Sequence, residues 1–315
     1  MPSVDQPHNG NQPDTNSHSK ARFWAVSNSQ KTALGSWLTI AHLLCSTRAL
    51  RDAWSNHRIC VFPTGLMGLR TSVEPITSCR NPIVTRFRKV ARQKTPTEST
   101  ALLEGPRLIE EALAAGVQLE VVAVSTPLVS DLNKIDLIDR LMSTTQIIPV
   151  SPVVMDALSP VSSPSGLIAL ATVTPSKIDD IADLPKPTLI GLHNVQDPGN
   201  VGATIRAVEA GGASGIITVG GADPYGWKAL RGSMGSTFRI PVARALNPEA
   251  ISREATIRSW RVIATVPRGG TCLTEIDLRE PCFLWLGSEG EGLDRGIINS
   301  ADELLSVPMC EPVES

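Results

Sequence analysis

The sequence predicts an α/β protein of two consecutive domains, each built from strands that alternate with helices. Three observations support this prediction. The chain has 315 residues, which suggests about two domains. From residue 101 onward, short apolar runs of strand length alternate with longer segments whose apolar residues recur at helical spacing. The composition is 42% hydrophobic, which is enough for two ordinary cores.

The net charge, the cysteine spacing and the length of the apolar runs limit the classes of protein that the sequence can represent. The net charge is −2, so the chain lacks an overall basic signature for nucleic acid, and any RNA contact must come from local patches. The six cysteines form no C-x-x-C pair, which favours free thiols in a reducing compartment over a zinc or disulfide framework. No apolar run reaches the length of a membrane span. We therefore expect a cytoplasmic protein without a metal site.

Residues 1–74 differ from the rest of the chain. Four of the five histidines lie before residue 60, and the opening Asn/Pro/Ser/His-rich stretch is typical of disorder. Three interpretations remain open: a non-native leader upstream of a later start at Met67, an organellar transit peptide, or a genuine accessory tail. A transit peptide would change the expected location from cytoplasm to organelle. We assign no functional residue to this segment.

Residues 75–174 predict a compact α/β/α domain. Asn81 and Pro82 predict the start of its first helix, with Val84 and Phe87 facing the core. The following strands are predicted at Ala101–Glu104, Leu119–Val124, Gln146–Val150 and Gly166–Val173. The helices between them are predicted to start at Pro106, to span Leu132–Met142 and to span Pro152–Leu158.

The opposite side of the first helix is basic. Six basic residues and no acid lie between Glu74 and Glu98. A solvated helix face is the ordinary explanation for such a run. The absence of any acid favours contact with an RNA backbone, and we predict this contact for Arg86, Lys89 and Arg92.

Residues 175–187 are predicted to be an interdomain linker, and residues 188–315 a second domain. Its strands are predicted at Thr188–Leu192, Gly215–Val219, Arg261–Val266, Cys282–Leu286 and Leu304–Val307. Its helices are predicted at Val201–Ala210, Trp227–Gly232, Pro248–Trp260 and Leu293–Asn299. This alternation indicates a parallel sheet with helices on both faces, which binds ligands at the carboxyl ends of its strands.

Three motifs lie at the ends of predicted strands, at residues 197–206, 287–292 and 304–315, and the third includes its strand. In the first, the amide of Asn200 and the guanidinium of Arg206 lie near a glycine-lined helix start, which suits a phosphate or a ribose. In the second, Glu289 stands between glycines, where a carboxylate has no helix to stabilise. The plain alternative is that the glycines permit turns and close helix packing, and that Arg206 extends from a packed helix.

Together, these motifs and the segment 231–242 resemble the SpoU family of the SPOUT superfamily over about residues 75–315. The resemblance implies that the chain is an RNA ribose 2′-O-methyltransferase that uses S-adenosylmethionine and folds with a deep trefoil knot. The first domain is similar to the substrate-binding domain that precedes the catalytic domain in many such enzymes, at residues 103–107 and 163–166.

The resemblance also implies residue roles. Arg206 would stabilise the developing alkoxide, and Asn200 and Glu289 would orient Arg206 and the ribose. The adenosyl group would be held without a metal by Gly287, Gly290, Val307, Pro308 and Met309. RNA phosphate or a dimer partner would contact Arg231, Ser233, Met234, Ser236 and Arg239.

One departure concerns the third motif. In the family this motif continues beyond the position of Ser315 into Leu-Asn and a final helix, and that asparagine belongs to the catalytic set. The helix closes the knot, lines the cofactor site and builds much of the dimer interface. The chain ending at Ser315 is therefore expected to have an incomplete knot, to bind the cofactor poorly, to methylate nothing measurable and to be monomeric or to aggregate. The protein with this segment restored is expected to be a homodimer.

The sequence leaves three functions open. The first is methylation of RNA, with ribosomal RNA ahead of transfer RNA. The second is a catalytically inactive RNA-binding remnant of such an enzyme. The third is a nicotinamide-dependent oxidoreductase, which ranks far behind because the first strand of the second domain is not followed by G-x-G-x-x-G.

Overall fold

The computed structural model describes residues 74–93, 99–129, 135–184 and 187–308. These residues form two β-sheets, each covered by helices. The helices are α1 (Pro82–Arg92), α2 (Pro106–Ala114), α3 (Thr126–Val129), α4 (Ile135–Thr144), α5 (Pro152–Leu158), α6 (Ile178–Ala182), α7 (Pro198–Ala210), α8 (Trp227–Ser233), α9 (Pro248–Arg258) and α10 (Arg295–Ser300). The strands are β1 (Thr100–Glu104), β2 (Leu119–Ser125), β3 (Gln146–Val150), β4 (Leu167–Thr172), β5 (Thr188–His193), β6 (Gly215–Val219), β7 (Val242–Ala245), β8 (Arg261–Thr265), β9 (Thr271–Cys272), β10 (Cys282–Leu286) and β11 (Glu303–Ser306). The predictions for residues 1–73 fall outside the described ranges.

Polar caps explain where several helices begin. The side chain of Asn81 accepts a hydrogen bond from the backbone N–H of Ile83, and Pro82 occupies the first turn of α1, as the sequence predicted. Asp197 caps α7 by accepting from Gly199, and Asn247 caps α9 by accepting from Ala250. Each cap satisfies a backbone donor that the helix itself leaves free.

The first sheet has the order β1-β4-β2-β3 and is mixed, since only β2 and β3 run parallel. On one face, Phe87 of α1 packs with Leu102 of β1 and with residues of α5. On the other face, Leu103 packs with buried residues of α2 and α4, including Leu141. The predicted α/β/α arrangement is confirmed.

The second sheet has the order β7-β6-β5-β10-β8-β11-β9, and all of its strand pairs are parallel. Helices α7 and α8 cover one face, where Ile205 and Leu230 join the apolar cluster of β5 and β6. Helices α6, α9 and α10 cover the other face around Phe283 and Trp285 of β10. The parallel sheet between two helical layers is therefore confirmed, while the knot stays a prediction.

Some short elements differ from the sequence prediction. The stretch predicted as a linker contains α6, whose Ile181 is fully buried in the second core, and Ser176 forms a bridge with Ala243. Strands β7 and β9 were not predicted. Strand β7 has only four residues, one of them an arginine, and β9 has two, so neither shows an alternation of apolar and polar residues. None of the described helices is long and apolar enough to cross a bilayer.

Candidate active site

The carboxyl ends of four adjacent strands, β5, β10, β8 and β11, meet at one edge of the second sheet. The register pairs Leu286 of β10 with Leu192 of β5, and Leu305 of β11 with Thr265 of β8. Since parallel strands end on the same side, the second and third motifs are brought together there. A cavity of about 460 Å³ opens at this edge, and it is lined by Thr265, Val266, Pro267, Leu286, Gly287, Ser288, Glu289, Gly290, Glu291, Gly292, Leu293, Ile298, Leu305 and Val307.

The loop after β10 is a tight backbone hairpin. Ser288 and Gly292 exchange two backbone hydrogen bonds, each of 3.1 Å. Gly292 has a φ of 70°, in the left-handed region that glycine adopts most readily. This fold leaves Glu289 and Gly290 exposed at the tip of the loop, at the rim of the cavity.

Glu289 joins the second motif to the first. Its carboxylate accepts a hydrogen bond of 2.9 Å from the side-chain amide of Asn200, and others of 3.1 and 3.2 Å from the backbone N–H groups of Gln196 and Asp197. The Asn200 hydrogen bond, followed by that from Gln196, lowers the pKa of the Glu289 carboxyl to about 2. The prediction that this carboxylate has no helix to stabilise was wrong, because it lies at the positive N-terminal end of α7.

Gly202 serves helix packing rather than ligand approach. A Cβ at this position would lie 2.4 Å from the carbonyl oxygen of Ala229 and 2.9 Å from the backbone nitrogen of Ser233. Because α8 crosses α7 at this point without room for a methyl group, the glycine sets the distance between the two helices. The plain packing explanation is therefore the one that applies to this residue of the first motif.

Arg206 is exposed in the middle of α7 and forms no hydrogen bond or ion pair with any residue that the structure describes. It follows Asn200 by six positions, so the two side chains leave the helix about 120° apart. The structure therefore does not bring Arg206 into the contact between Asn200 and Glu289. A guanidinium without a carboxylate partner is available for an anion.

The residues predicted to hold a cofactor are found at the cavity with two exceptions. Gly287, Gly290 and Val307 line it, and a Cβ at Gly290 would meet no atom within 4 Å, so the backbone there is open to a ligand. Pro308 is described but is absent from the cavity wall. Met309 lies outside the described residues.

His193, at the end of β5, is a residue of this edge that the sequence analysis did not single out. It is 3% exposed, its Nε2 lies 3.4 Å from Oδ2 of Asp294, and its Nδ1 has no hydrogen-bond partner among the described residues. Asp294 directly precedes α10, and Leu293 and Ile298 near it line the cavity. The only signal in the sequence was a polar residue closing an apolar run just before the first motif.

The basic residues predicted to bind RNA in the first domain occupy one surface of α1. Arg86 forms an ion pair with Glu120, while Lys89 and Arg92 are exposed. A shallow cavity of about 500 Å³ is lined by Thr85, Arg88, Lys89, Arg92 and Gln93. The helix thus presents basic side chains together, and their contact with RNA stays a prediction.

The segment from Arg231, in the last turn of α8, to Arg239 differs from the predicted RNA-contacting surface. Ser233 and Ser236 are 0% and 1% exposed, so the prediction that they contact RNA or a partner was wrong. Arg231 lies 3.9 Å from Glu104, and Arg239 is paired with both Glu111 and Glu209. Arg231 and Arg239 therefore each lie beside a carboxylate of the first domain, and their contact with RNA stays a prediction.

Comparison with protein families gives two adjacent matches. Residues 187–315 match the model described as the SpoU rRNA Methylase family. Residues 81–169 match the model described as the MRM3-like substrate binding domain. The two matches follow the order of the two sheets.

Individual relatives span most of the same residues. The chain is 31% identical over 253 residues to an uncharacterized tRNA/rRNA methyltransferase of Synechocystis, covering 78% of this chain and 90% of the relative. It is 31% identical to the 23S rRNA (guanosine(2553)-2′-O)-methyltransferase RlmP of Bacillus subtilis, covering 77% and 94%. The AdoMet-bound rRNA methyltransferase of Sinorhizobium meliloti superposes with a TM-score of 0.66 at 27% identity, covering 77% of this chain and 91% of that one.

Proposed function

The chain belongs to the SpoU rRNA methylase family, and we propose that it transfers the methyl group of S-adenosylmethionine to a ribose 2′-hydroxyl of RNA. The observation that carries the proposal is the cavity at the ends of β10, β8 and β11, whose rim is tied to the start of α7 by Glu289. The cavity brings the second and third motifs together, and the Glu289 contacts add the first. Both relatives with at least 30% identity described above are named as methyltransferases.

The cavity fits S-adenosylmethionine in size and chemistry. Its volume of about 460 Å³ lies within the range of roughly 300–1,000 Å³ that small-molecule sites occupy. Leu286, Leu305 and Val307 supply apolar wall for an adenine ring, and the open backbone at Gly290 can approach polar groups. The anionic Glu289 at the rim suits a cationic sulfonium. The cofactor supplies an activated methyl group, and these residues bind and orient it.

Arg206 is the proposed catalytic residue. A ribose hydroxyl is a poor nucleophile because it is almost entirely protonated near neutral pH. A guanidinium beside the hydroxyl stabilises the alkoxide that develops as the proton leaves. Arg206 is exposed and unpaired among the described residues, so it can take this position without losing a carboxylate partner. Asn200 acts with Glu289 by fixing the start of the helix that carries Arg206.

The proposed substrate is RNA, with ribosomal RNA ahead of transfer RNA, because the RlmP relative is named for 23S rRNA. The basic surface of α1 supports contact with its phosphates, through Lys89 and Arg92 and through Arg86 at the cost of its pairing with Glu120. Arg231 remains a proposed RNA contact, since its side chain is 56% exposed. The homodimer implied by the family stays a prediction that sedimentation at several protein concentrations measures.

The experiment that tests the proposal combines binding with transfer. Calorimetry should detect S-adenosylmethionine binding to the intact protein, and no binding of a nicotinamide dinucleotide. Labelled S-adenosylmethionine and ribosomal RNA should then give product whose modified linkage resists alkaline hydrolysis, since a 2′-O-methyl group blocks that cleavage. RNA binding without cofactor binding or transfer would favour the inactive remnant. Binding of the nicotinamide dinucleotide alone would favour the oxidoreductase.

A further inference from the structure

Arg239 forms a bridge between the two sheets of the described chain. Its Nε and Nη2 donate to the two carboxylate oxygens of Glu209 at 2.6 and 2.9 Å. Its Nη1 donates to Oε2 of Glu111 at 2.5 Å. Glu209 lies on α7 of the second sheet, and Glu111 lies on α2 of the first. One planar guanidinium is thus shared by two carboxylates on helices from different sheets.

The backbone around this bridge is closely packed. Gly235 has a φ of 91°, and a Cβ at this position would lie 2.6 Å from Cβ of Glu111. Helix α2 therefore approaches the turn after α8 closely enough that only glycine fits between them. Beside this contact, Leu103 of β1 and Leu230 of α8 belong to a single apolar cluster. The carboxylate of Glu104 holds Ser165 by two hydrogen bonds and faces Arg231 at 3.9 Å.

We propose that Arg239 is a positioning residue that fixes the RNA-binding domain against the helix that carries Arg206. The proposal rests on the proposed function, because it assigns RNA to the first domain and methyl transfer to the second. Glu209 follows Arg206 by three positions on α7, so the bidentate contact holds the same stretch of helix. The contact with Glu111 then sets the distance between this stretch and the domain that holds RNA.

Arg239 makes more hydrogen bonds to carboxylates than an isolated surface ion pair does. Accepting hydrogen bonds from the Arg239 guanidinium lowers the pKa of the Glu209 carboxyl, and donating these hydrogen bonds raises the pKa of Arg239, so both groups stay charged across the physiological range. Exposed single pairs contribute little on average, whereas bidentate and networked arginines contribute more. Lysine cannot replace this arrangement, since a single ammonium lacks the planar fork that serves two carboxylates.

A fixed distance between the RNA-binding domain and α7 should limit which nucleotides reach the methyl-transfer site. RNA held at the basic surface of α1 presents only nucleotides at a set separation to the methyl-transfer site. Loosening the bridge should broaden the set of nucleotides that reach the site and slow transfer at the preferred one. The cofactor cavity is formed by residues beyond 264, none of which forms a hydrogen bond or ion pair with Arg239 or Glu111, so cofactor affinity should not change.

The test compares Glu111→Gln with Glu110→Gln in the intact protein. Both variants remove one charge from α2, but Glu110 forms no hydrogen bond or ion pair with the described residues. The separation of the domains is measured by pulsed electron resonance between spin labels carried by non-natural residues at exposed Asp139 and Ile257, since thiol reagents would also meet the native cysteines. Glu111→Gln and Arg239→Lys should broaden the distance distribution, and Glu110→Gln should leave it unchanged.

The second measurement is the rate and the position of methyl transfer to RNA. Glu111→Gln should lower the rate at the preferred nucleotide by about fivefold, the loss of roughly 1 kcal/mol for one such contact. It should raise the share of methylation at neighbouring nucleotides, with an unchanged Kd for S-adenosylmethionine. An unaltered distance distribution in both Glu111→Gln and Arg239→Lys would overturn the proposal. If the unsubstituted protein transfers no methyl group, the proposed function fails while the distance measurement still decides the role of Arg239.

Discussion

Asn200 donates a 2.9 Å hydrogen bond to the carboxylate of Glu289, which lies 89 positions further along the chain. The contact joins the start of α7 to the hairpin after β10. It makes the first and second motifs one structural unit at the rim of the cavity. The orientation of the helix that carries Arg206 therefore depends on a loop of the cofactor cavity.

The first prediction concerns this carboxylate. Glu289→Gln removes the charge that accepts three hydrogen bonds, and we expect S-adenosylmethionine to bind about fivefold more weakly, as for loss of one to two net hydrogen bonds. Calorimetric titration measures the change. Glu275→Gln is the matched control, because Glu275 is exposed, is absent from the cavity wall, and its side chain forms no hydrogen bond or ion pair with the described residues. Equal affinities of the two variants would contradict the assignment.

The second prediction is a pH dependence. The pKa of Glu289 falls from the ordinary value of 4.5 to about 2 on folding, so its contribution to stability is fully present above 4.5. That contribution is lost as the pH falls from 4.5 towards 2. The protein should therefore have a higher thermal midpoint than Glu289→Gln at pH 7, and the difference should shrink steadily below pH 4.5. A difference that stays constant down to the acid limit of folding would show that Glu289 is not held by these donors.

The third prediction concerns the crossing of α7 and α8. Gly202→Ala places a methyl group 2.4 Å from the carbonyl oxygen of Ala229, and we expect a loss of roughly 1–3 kcal/mol in the free energy of unfolding. Urea denaturation measures the loss. Gly296→Ala in α10 is the control, because nothing lies within 4 Å of its added methyl group and alanine favours a helix. If both variants are equally stable, the helices do not cross as closely as described.

The fourth prediction concerns His193. The imidazole Nε2 lies 3.4 Å from Asp294, which directly precedes α10, and Ile298 of this helix lines the cavity. His193→Phe keeps an aromatic ring against Trp285 but removes the Nε2 that faces the Asp294 carboxylate. It should weaken cofactor binding by about threefold, as expected for the loss of one hydrogen bond to an exposed partner. His193→Gln keeps an N–H donor and should stay close to the unsubstituted protein. Asp294→Asn should add no further loss in the His193→Phe background, and an additive loss would rule out the coupling.

Local signals gave most of the fold. Asn81 and Pro82 predicted the start of α1, and the apolar runs predicted the long strands, because caps and periodicity act within a few residues. The common edge of the motifs was also predictable, since parallel strands end on one side. Short elements such as β9 escaped, because two residues show no pattern.

Long-range polar pairing was not predictable in the same way. Glu289 was assigned to the site without its partners, and Arg239 was assigned to RNA although it pairs with Glu111, 128 positions upstream. A single sequence carries no record of which charged side chains meet across such separations. His193 was missed because one polar residue at a strand end has many explanations, and only its burial beside Asp294 distinguishes it.

Arg206 is proposed to promote methyl transfer to a ribose hydroxyl from cofactor held at the neighbouring sheet edge. The most direct measurement is single-turnover methylation of ribosomal RNA by the intact protein and by Arg206→Ala and Arg206→Lys, with the Kd for S-adenosylmethionine measured on each. We predict alkali-resistant 2′-O-methyl product from the unsubstituted protein and none from either variant, at unchanged cofactor affinity, because lysine lacks the planar fork. Product formed by Arg206→Ala at the unsubstituted rate would show that Arg206 does not promote the transfer.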